Sequence, residues 1–131
     1  MSRILLVDAD VGFVMYLGLL LVRESYDVLP ATGAADALAF VRALGFDVEL
    51  LIVDVVSPDG VTIIQELIRQ AVPPGVIDID PGGRQTPADP DLLKHVRATL
   101  HKPSAMQPLP TEEWLQTVKR VLRQSAFAAP N

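Results

Sequence analysis

The sequence predicts an α/β fold: a doubly wound, five-stranded parallel sheet with helices on both faces, in one domain over residues 1–125. Three observations carry that prediction. Short β-branched or leucine-rich runs alternate with longer segments of helical period, in the pattern of a parallel sheet with crossover helices. Several of the short runs are apolar at nearly every position, as strands covered on both faces are. Three of them stop on an aspartate, at Asp8, Asp54 and Asp80. A chain of 131 residues fits a single domain.

Arg3 to Val7 (RILLV) reads as the first strand, and Asp10 caps a helix over Val11 to Glu24. Tyr26 to Leu29 is a brief second strand. Ala34 to Leu44 is rich in strong helix formers, and Gly45 follows where a helix C-terminal glycine belongs. Glu49 to Val53 is the third strand. Val61 to Gln70 has helical period, and Val72-Pro73-Pro74-Gly75 closes it. Val76 to Ile79 is the fourth strand, interrupted by Asp78. Asp80 to Asp91 (DPGGRQTPADPD) is the most loop-like stretch. Within it, Thr86 to Asp89 has the form of a capping box with Pro87 at the first helical position, predicting a short helix through about Val96. Arg97 to His101 is the fifth strand. Thr111 caps a final amphipathic helix to Gln124, with Trp114, Leu115, Val118, Val121 and Leu122 as its core stripe, and residues 126–131 form a disordered tail.

Composition excludes several functions. The formal net charge is −5, with 11 basic against 16 acidic residues and no basic run, which argues against nucleic-acid binding. With no cysteine, disulfides, thiolate metal sites and thiol nucleophiles are excluded. Val11 to Val22 is uncharged and apolar, but a membrane span needs about 20 such residues, and acids rather than basic residues precede it. The expectation is a soluble, cytoplasmic protein without a membrane partner.

Right-handed crossovers place the C-terminal end of every strand of a parallel sheet on one edge, where ligands bind in such folds. Asp8, Asp54, Asp80 and Lys102 should therefore converge on one crevice. A single acid closing a strand is unremarkable; three acids and a lysine at one edge point to a site.

Ile4 to Asp10 (ILLVDAD), Leu51 to Asp54 (LIVD) with Pro58 and Asp59-Gly60, and His101-Lys102-Pro103 match, in order and spacing, the motifs of bacterial response-regulator receiver domains. The sequence resembles that family from Arg3 to about Gln124. The resemblance implies a flavodoxin-like sheet of order 2-1-3-4-5 and a non-enzymatic signalling module. It further implies a phosphoryl group accepted on Asp54 from a histidine kinase or phosphotransfer protein. Asp8 and Asp54 would hold a Mg²⁺, with Asp10 as a further candidate ligand, and Lys102 would offset phosphoryl charge.

Departures from the family pattern cluster at the same site. Ala9 stands where a second acid is usual. Asp80 stands where a Ser or Thr is usual, and an ionised carboxylate about 4 Å from a phosphoryl dianion costs about 4 kcal/mol per charge pair at an effective dielectric near 20. Asp80 must then turn away, take a proton or ligate a cation, and Thr86 is too distant to replace the hydroxyl. The loop after Asp54 is two residues short, and Thr99 replaces an aromatic switch residue.

Two functional expectations result: a phosphoacceptor at Asp54, and a pseudo-receiver that keeps the fold and signals without phosphate. The second gains support from Val11 to Val22, which has no polar outer stripe and predicts a homodimer through the first helix. A nucleotide- or flavin-binding enzyme is a weaker reading, because no glycine-rich phosphate motif follows the first strand. Pro81 to Arg84, the only glycine-rich loop with a cation nearby, reads as a plain turn by default with an anion site as the lesser alternative, and His95 and His101 lack a carboxylate partner at recognisable spacing.

Overall fold

The computed structural model describes residues 2–45, 47–104 and 106–128. Its five strands are β1 (Arg3–Val7), β2 (Asp27–Ala31), β3 (Leu50–Val53), β4 (Gly75–Asp80) and β5 (Val96–His101). All pair in parallel, in the order β2-β1-β3-β4-β5. The helices between and after them are α1 (Val11–Arg23), α2 (Ala34–Leu44), α3 (Pro58–Leu67), α4 (Pro90–Leu93) and α5 (Thr111–Ala128).

Strand alternation sorts the apolar residues into two cores. Ile4, Leu6, Leu50, Ile52, Ile77 and Ile79 face one side, where Leu17 and Leu21 of α1 and Trp114, Val118 and Val121 of α5 cover them. Leu5, Val7, Leu51, Val53 and Val76 face the other, under α2 and α3. Both faces of the sheet are thus dry, which is why β1 and β3 are apolar throughout. Phe13 meets Trp114 edge-on, with ring centroids 5.6 Å apart, and ties α1 to α5.

β1 and α2 have the predicted bounds, and Gly45 closes α2 at φ 66°, a conformation glycine adopts without penalty. β2 extends to Ala31 because its ladder with β1 continues to Val7; Pro30 is tolerated since β2 is an edge strand. α3 begins at Pro58 rather than Val61. Ser57 caps it, its Oγ accepting from the Gly60 amide at 3.0 Å, with proline at the first position. It ends short of Gln70, whose side-chain amide turns back to bond both the amide and carbonyl of Val48, at 2.9 and 3.0 Å.

The predicted helix from Pro87 does not form. Asp89 precedes Pro90, which holds it extended at ψ 127° and bars a helix from running through both. Asp89 itself caps α4, accepting from Asp91 N at 2.9 Å, with Pro90 in the first turn. Nor does Thr111 cap α5: its hydroxyl donates to Leu109 O, and the first helical bond runs from Trp114 N to Pro110 O at 3.2 Å. α5 continues past Gln124 to Ala128, and the rest of the predicted tail lies outside the described residues.

Candidate functional site

The ends of β1, β3 and β5 bring Asp8, Asp54 and Lys102 to one cavity of about 220 Å³, which Ala9, Ser57 and Asp59 also line. Three of the four residues expected to converge do so, and Asp80 does not line the cavity. At this sheet edge, the charges divide into two clusters.

On the β1 side, Asp8 Oδ1 accepts from Lys102 Nζ at 2.8 Å and from the Asp10 amide at 2.9 Å. Lys102 also stands 3.6 Å from Asp10 Oδ2 and 5.0 Å from the centre of the Phe13 ring. Asp10 caps α1, its Oδ1 accepting from Phe13 N at 3.2 Å. That bond, assisted by Lys102, holds its carboxyl below the usual aspartate value against a smaller opposing effect of desolvation.

On the β3 and β4 side, Asp54 Oδ1 accepts from Val56 N at 3.0 Å and from Arg84 Nη2 at 2.6 Å. Arg84 is the residue the sequence reading missed. Its guanidinium grips Asp78 through both oxygens, Nη1 to Oδ2 at 2.8 Å and Nη2 to Oδ1 at 2.7 Å, and Nη2 also donates to Ile79 O at 3.0 Å. Asp78 is buried in β4, 3% exposed, and accepts from Val55 N at 3.2 Å, so one carboxylate supports both the arginine and the turn after Asp54. The hydrogen bonds to Asp78, and then that to Asp54, keep Arg84 protonated well above its already high ordinary value. Gly82 and Gly83, at φ 86° and 66°, supply the left-handed turn that reverses the chain and sends Arg84 back under the sheet edge.

Asp80 turns away from the cavity. Its Oδ1 accepts from Gly82 N at 2.8 Å, and its Oδ2 lies 3.6 Å from His101 Nδ1. Arg84 Nε is 3.8 Å from Asp80 Oδ1, an ion-pair distance rather than a hydrogen bond. Thr86 and Thr99 are exposed, and neither lines the cavity. The turn after Asp54 is tight: Ser57 Oγ donates to Asp54 O at 2.7 Å, and a Cβ on Gly60 would overlap that same carbonyl oxygen.

These donors do not fit a Mg²⁺ as arranged. Ala9 offers no ligand, Asp8 Oδ1 is held by an ammonium and Asp54 Oδ1 by a guanidinium. Among the described residues no group of three or more His, Cys, Asp or Glu side chains is placed to hold a metal ion. The clue to Arg84 was in the sequence: an acid inside an otherwise apolar buried run requires a cation, and Arg84, six residues on, follows two glycines.

No family model and no curated protein matches the sequence. Solved structures do match. A response regulator receiver domain protein from Clostridium thermocellum superposes with a TM-score of 0.73 at 17% identity, over 98% of this chain and 100% of the other. A CheY-like receiver domain protein from Methanospirillum hungatei JF-1 gives 0.75 at 18%, over 98% and 99%. The fold is that of a response-regulator receiver domain. NtrX from Brucella abortus gives 0.76 at 22%, over 97% of this chain and 28% of that longer one. At such identities the likeness extends to the receiver fold and leaves the chemistry of the edge to the residues themselves. No helix among the described residues is long and apolar enough to cross a membrane.

Proposed function

We propose that the protein is a pseudo-receiver, a cytoplasmic interaction module that keeps the receiver scaffold and signals through protein contacts rather than through phosphate on Asp54. The observation that carries this reading is the 2.6 Å bond from Arg84 to Asp54, made by an arginine already locked to a buried carboxylate. Phosphoryl transfer to a carboxylate rests on positioning and on neutralising the incoming charge. Here the guanidinium already neutralises Asp54 and occupies one of its oxygens. With Ala9 in place of an acid and Lys102 engaged by Asp8, the remaining assistance is also reduced.

A second reading is favoured by one observation, the shared cavity of Asp8, Asp54 and Lys102. In it, a histidine kinase or phosphotransfer protein loads Asp54 after Arg84 withdraws from the attacking oxygen. Incubation with millimolar acetyl phosphate and Mg²⁺, read by intact mass and by amide chemical shifts near Asp54, separates the two. The pseudo-receiver reading expects no phosphoryl adduct and no shift; a stoichiometric adduct lost in Asp54→Asn overturns it.

A further inference from the structure

Exposed large apolar side chains are concentrated on one helix. Val11, Met15, Tyr16, Leu19 and Val22 of α1 are each 52–61% exposed, while Val14, Leu17 and Leu21 fill the core on its other side. A surface helix of a globular domain ordinarily gives that outer face to charged residues. α5 does so with Glu112, Lys119 and Arg120, and α2 carries Asp36 and Arg42. α1 has no charge from Val11 to Val22, and Arg23 ends it.

The face also has relief. Between the ridge of Met15, Leu19 and Val22 and the edge strand residues Val28 and Pro30 lies a hollow of about 140 Å³. Gly18 lines it, and a Cβ there would meet nothing. One surface thus carries an aliphatic knob, Leu19, and beside it a notch able to receive one.

We propose that α1 is the dimerisation surface of this protein: two copies cross their first helices antiparallel about a two-fold axis near Gly18 and Leu19, each Leu19 entering the partner hollow. A two-fold interface sets a patch against itself, residue i meeting j and j meeting i, so a charge lying on the axis, as near Gly18 and Leu19, would meet its own copy. A face without charge has no such penalty, and it gains by leaving water. Two such faces with their flanking strand residues enclose on the order of 1,000 Å² in total, the lower end of the range for specific association. An interface of that size need not be tight, and the dimer is a reversible one that dissociates in the micromolar range. It forms whether or not Asp54 takes a phosphoryl group, so it stands or falls separately from the reading above.

Sedimentation velocity on the full chain, from one to several hundred micromolar, reads the equilibrium directly. The weight-average mass should rise from the monomer's 14.2 kDa towards twice that value. Leu19→Asp, at an exposed position that folding does not need, should stay monomeric throughout with an unchanged circular dichroism spectrum. The chain has no cysteine, so Leu19→Cys introduces a single thiol. Mild oxidation should join two copies of it rapidly, whereas Gln65→Cys on the outer face of α3 should cross-link at least tenfold more slowly. A monomer at all concentrations, a dimer that persists in Leu19→Asp, equal cross-linking of the two cysteines, or uptake of monomers onto neutral lipid vesicles would each overturn the proposal.

Discussion

The two ion-pair clusters at the sheet edge are a few residues apart and carry the same kinds of charge, yet they are built differently. Lys102 reaches Asp8 with a single ammonium contact and a second, longer one to an Asp10 side chain that is 55% exposed. Arg84 holds the buried Asp78 through two parallel bonds, and adds a further contact to Asp54. An ammonium is a mobile point charge; a guanidinium in a fork is a fixed part. The lysine cluster can rearrange around a visitor, and the arginine cluster behaves as a strut of the fold. Asp54, the residue the receiver pattern marks for chemistry, belongs to the strut.

Removing the arginine should break the contrast most visibly. Arg84→Met leaves Asp78 charged, buried and unpaired, and such breaks cost about 3–5 kcal/mol. That is a large share of the roughly 5–15 kcal/mol available to a domain of this kind. Urea unfolding should show a correspondingly lower midpoint. The pairing with Asp78 is decisive, so Arg84→Met with Asp78→Asn should recover most of the loss. Asparagine still accepts from Val55 N and carries no charge. A single variant as stable as wild type would mean that water replaces the guanidinium and the strut is no strut.

Arg84→Lys sharpens the comparison by placing the other cation in the buried position. One ammonium cannot span both oxygens of Asp78 and reach Asp54, so a loss of about 1–2 kcal/mol is expected. The same variant loosens Asp54 Oδ1, and acetyl phosphate labelling should be tried on it beside wild type. On the other side of the cavity, Lys102→Met should cost less than Arg84→Met, because Asp8, though its side chain is only 10% exposed, faces the open cavity and can take up water there, as can Asp10. Equal losses at the two cations would erase the distinction drawn between the clusters.

The same contrast governs what could be read from residues alone. Asp8, Asp54 and Lys102 could be placed together because right-handed crossovers put parallel strand ends on one edge, whatever the loops do. β1 and α2 could be bounded to the residue because apolar runs and a terminal glycine define them. Arg84 was hidden by its position in a loop, where the path depends on left-handed turns at Gly82 and Gly83 that no periodicity reports. α4 was displaced for a similar reason. The sequence pattern puts the start at Pro87, and the constraint of Pro90 on Asp89 moves it three residues along the chain. Asp78 was visible as an interruption of β4; what it demanded of the neighbouring loop could have been asked of the sequence.

The smallest effect should come from Asp10, which belongs to the adjustable cluster and is the most exposed of its carboxylates. Its carboxyl is held below the usual value chiefly by the amide of Phe13, and Lys102 adds to that. A folded-state value below the unfolded one means that the charged form favours folding. The contribution is complete above the ordinary aspartate value of about 3.9 and disappears as pH falls through the lowered one. Asp10→Asn keeps an oxygen for the Phe13 amide and caps nearly as well, but has nothing to titrate. Wild type should therefore exceed Asp10→Asn in urea midpoint at neutral pH, and the gap should close in acid. In a Lys102→Met background the gap should narrow without vanishing, since the amide is the larger cause. A difference independent of pH would show that Asp10 holds α1 by shape and not by charge, and would leave Asp8 as the carboxylate that pairs with Lys102.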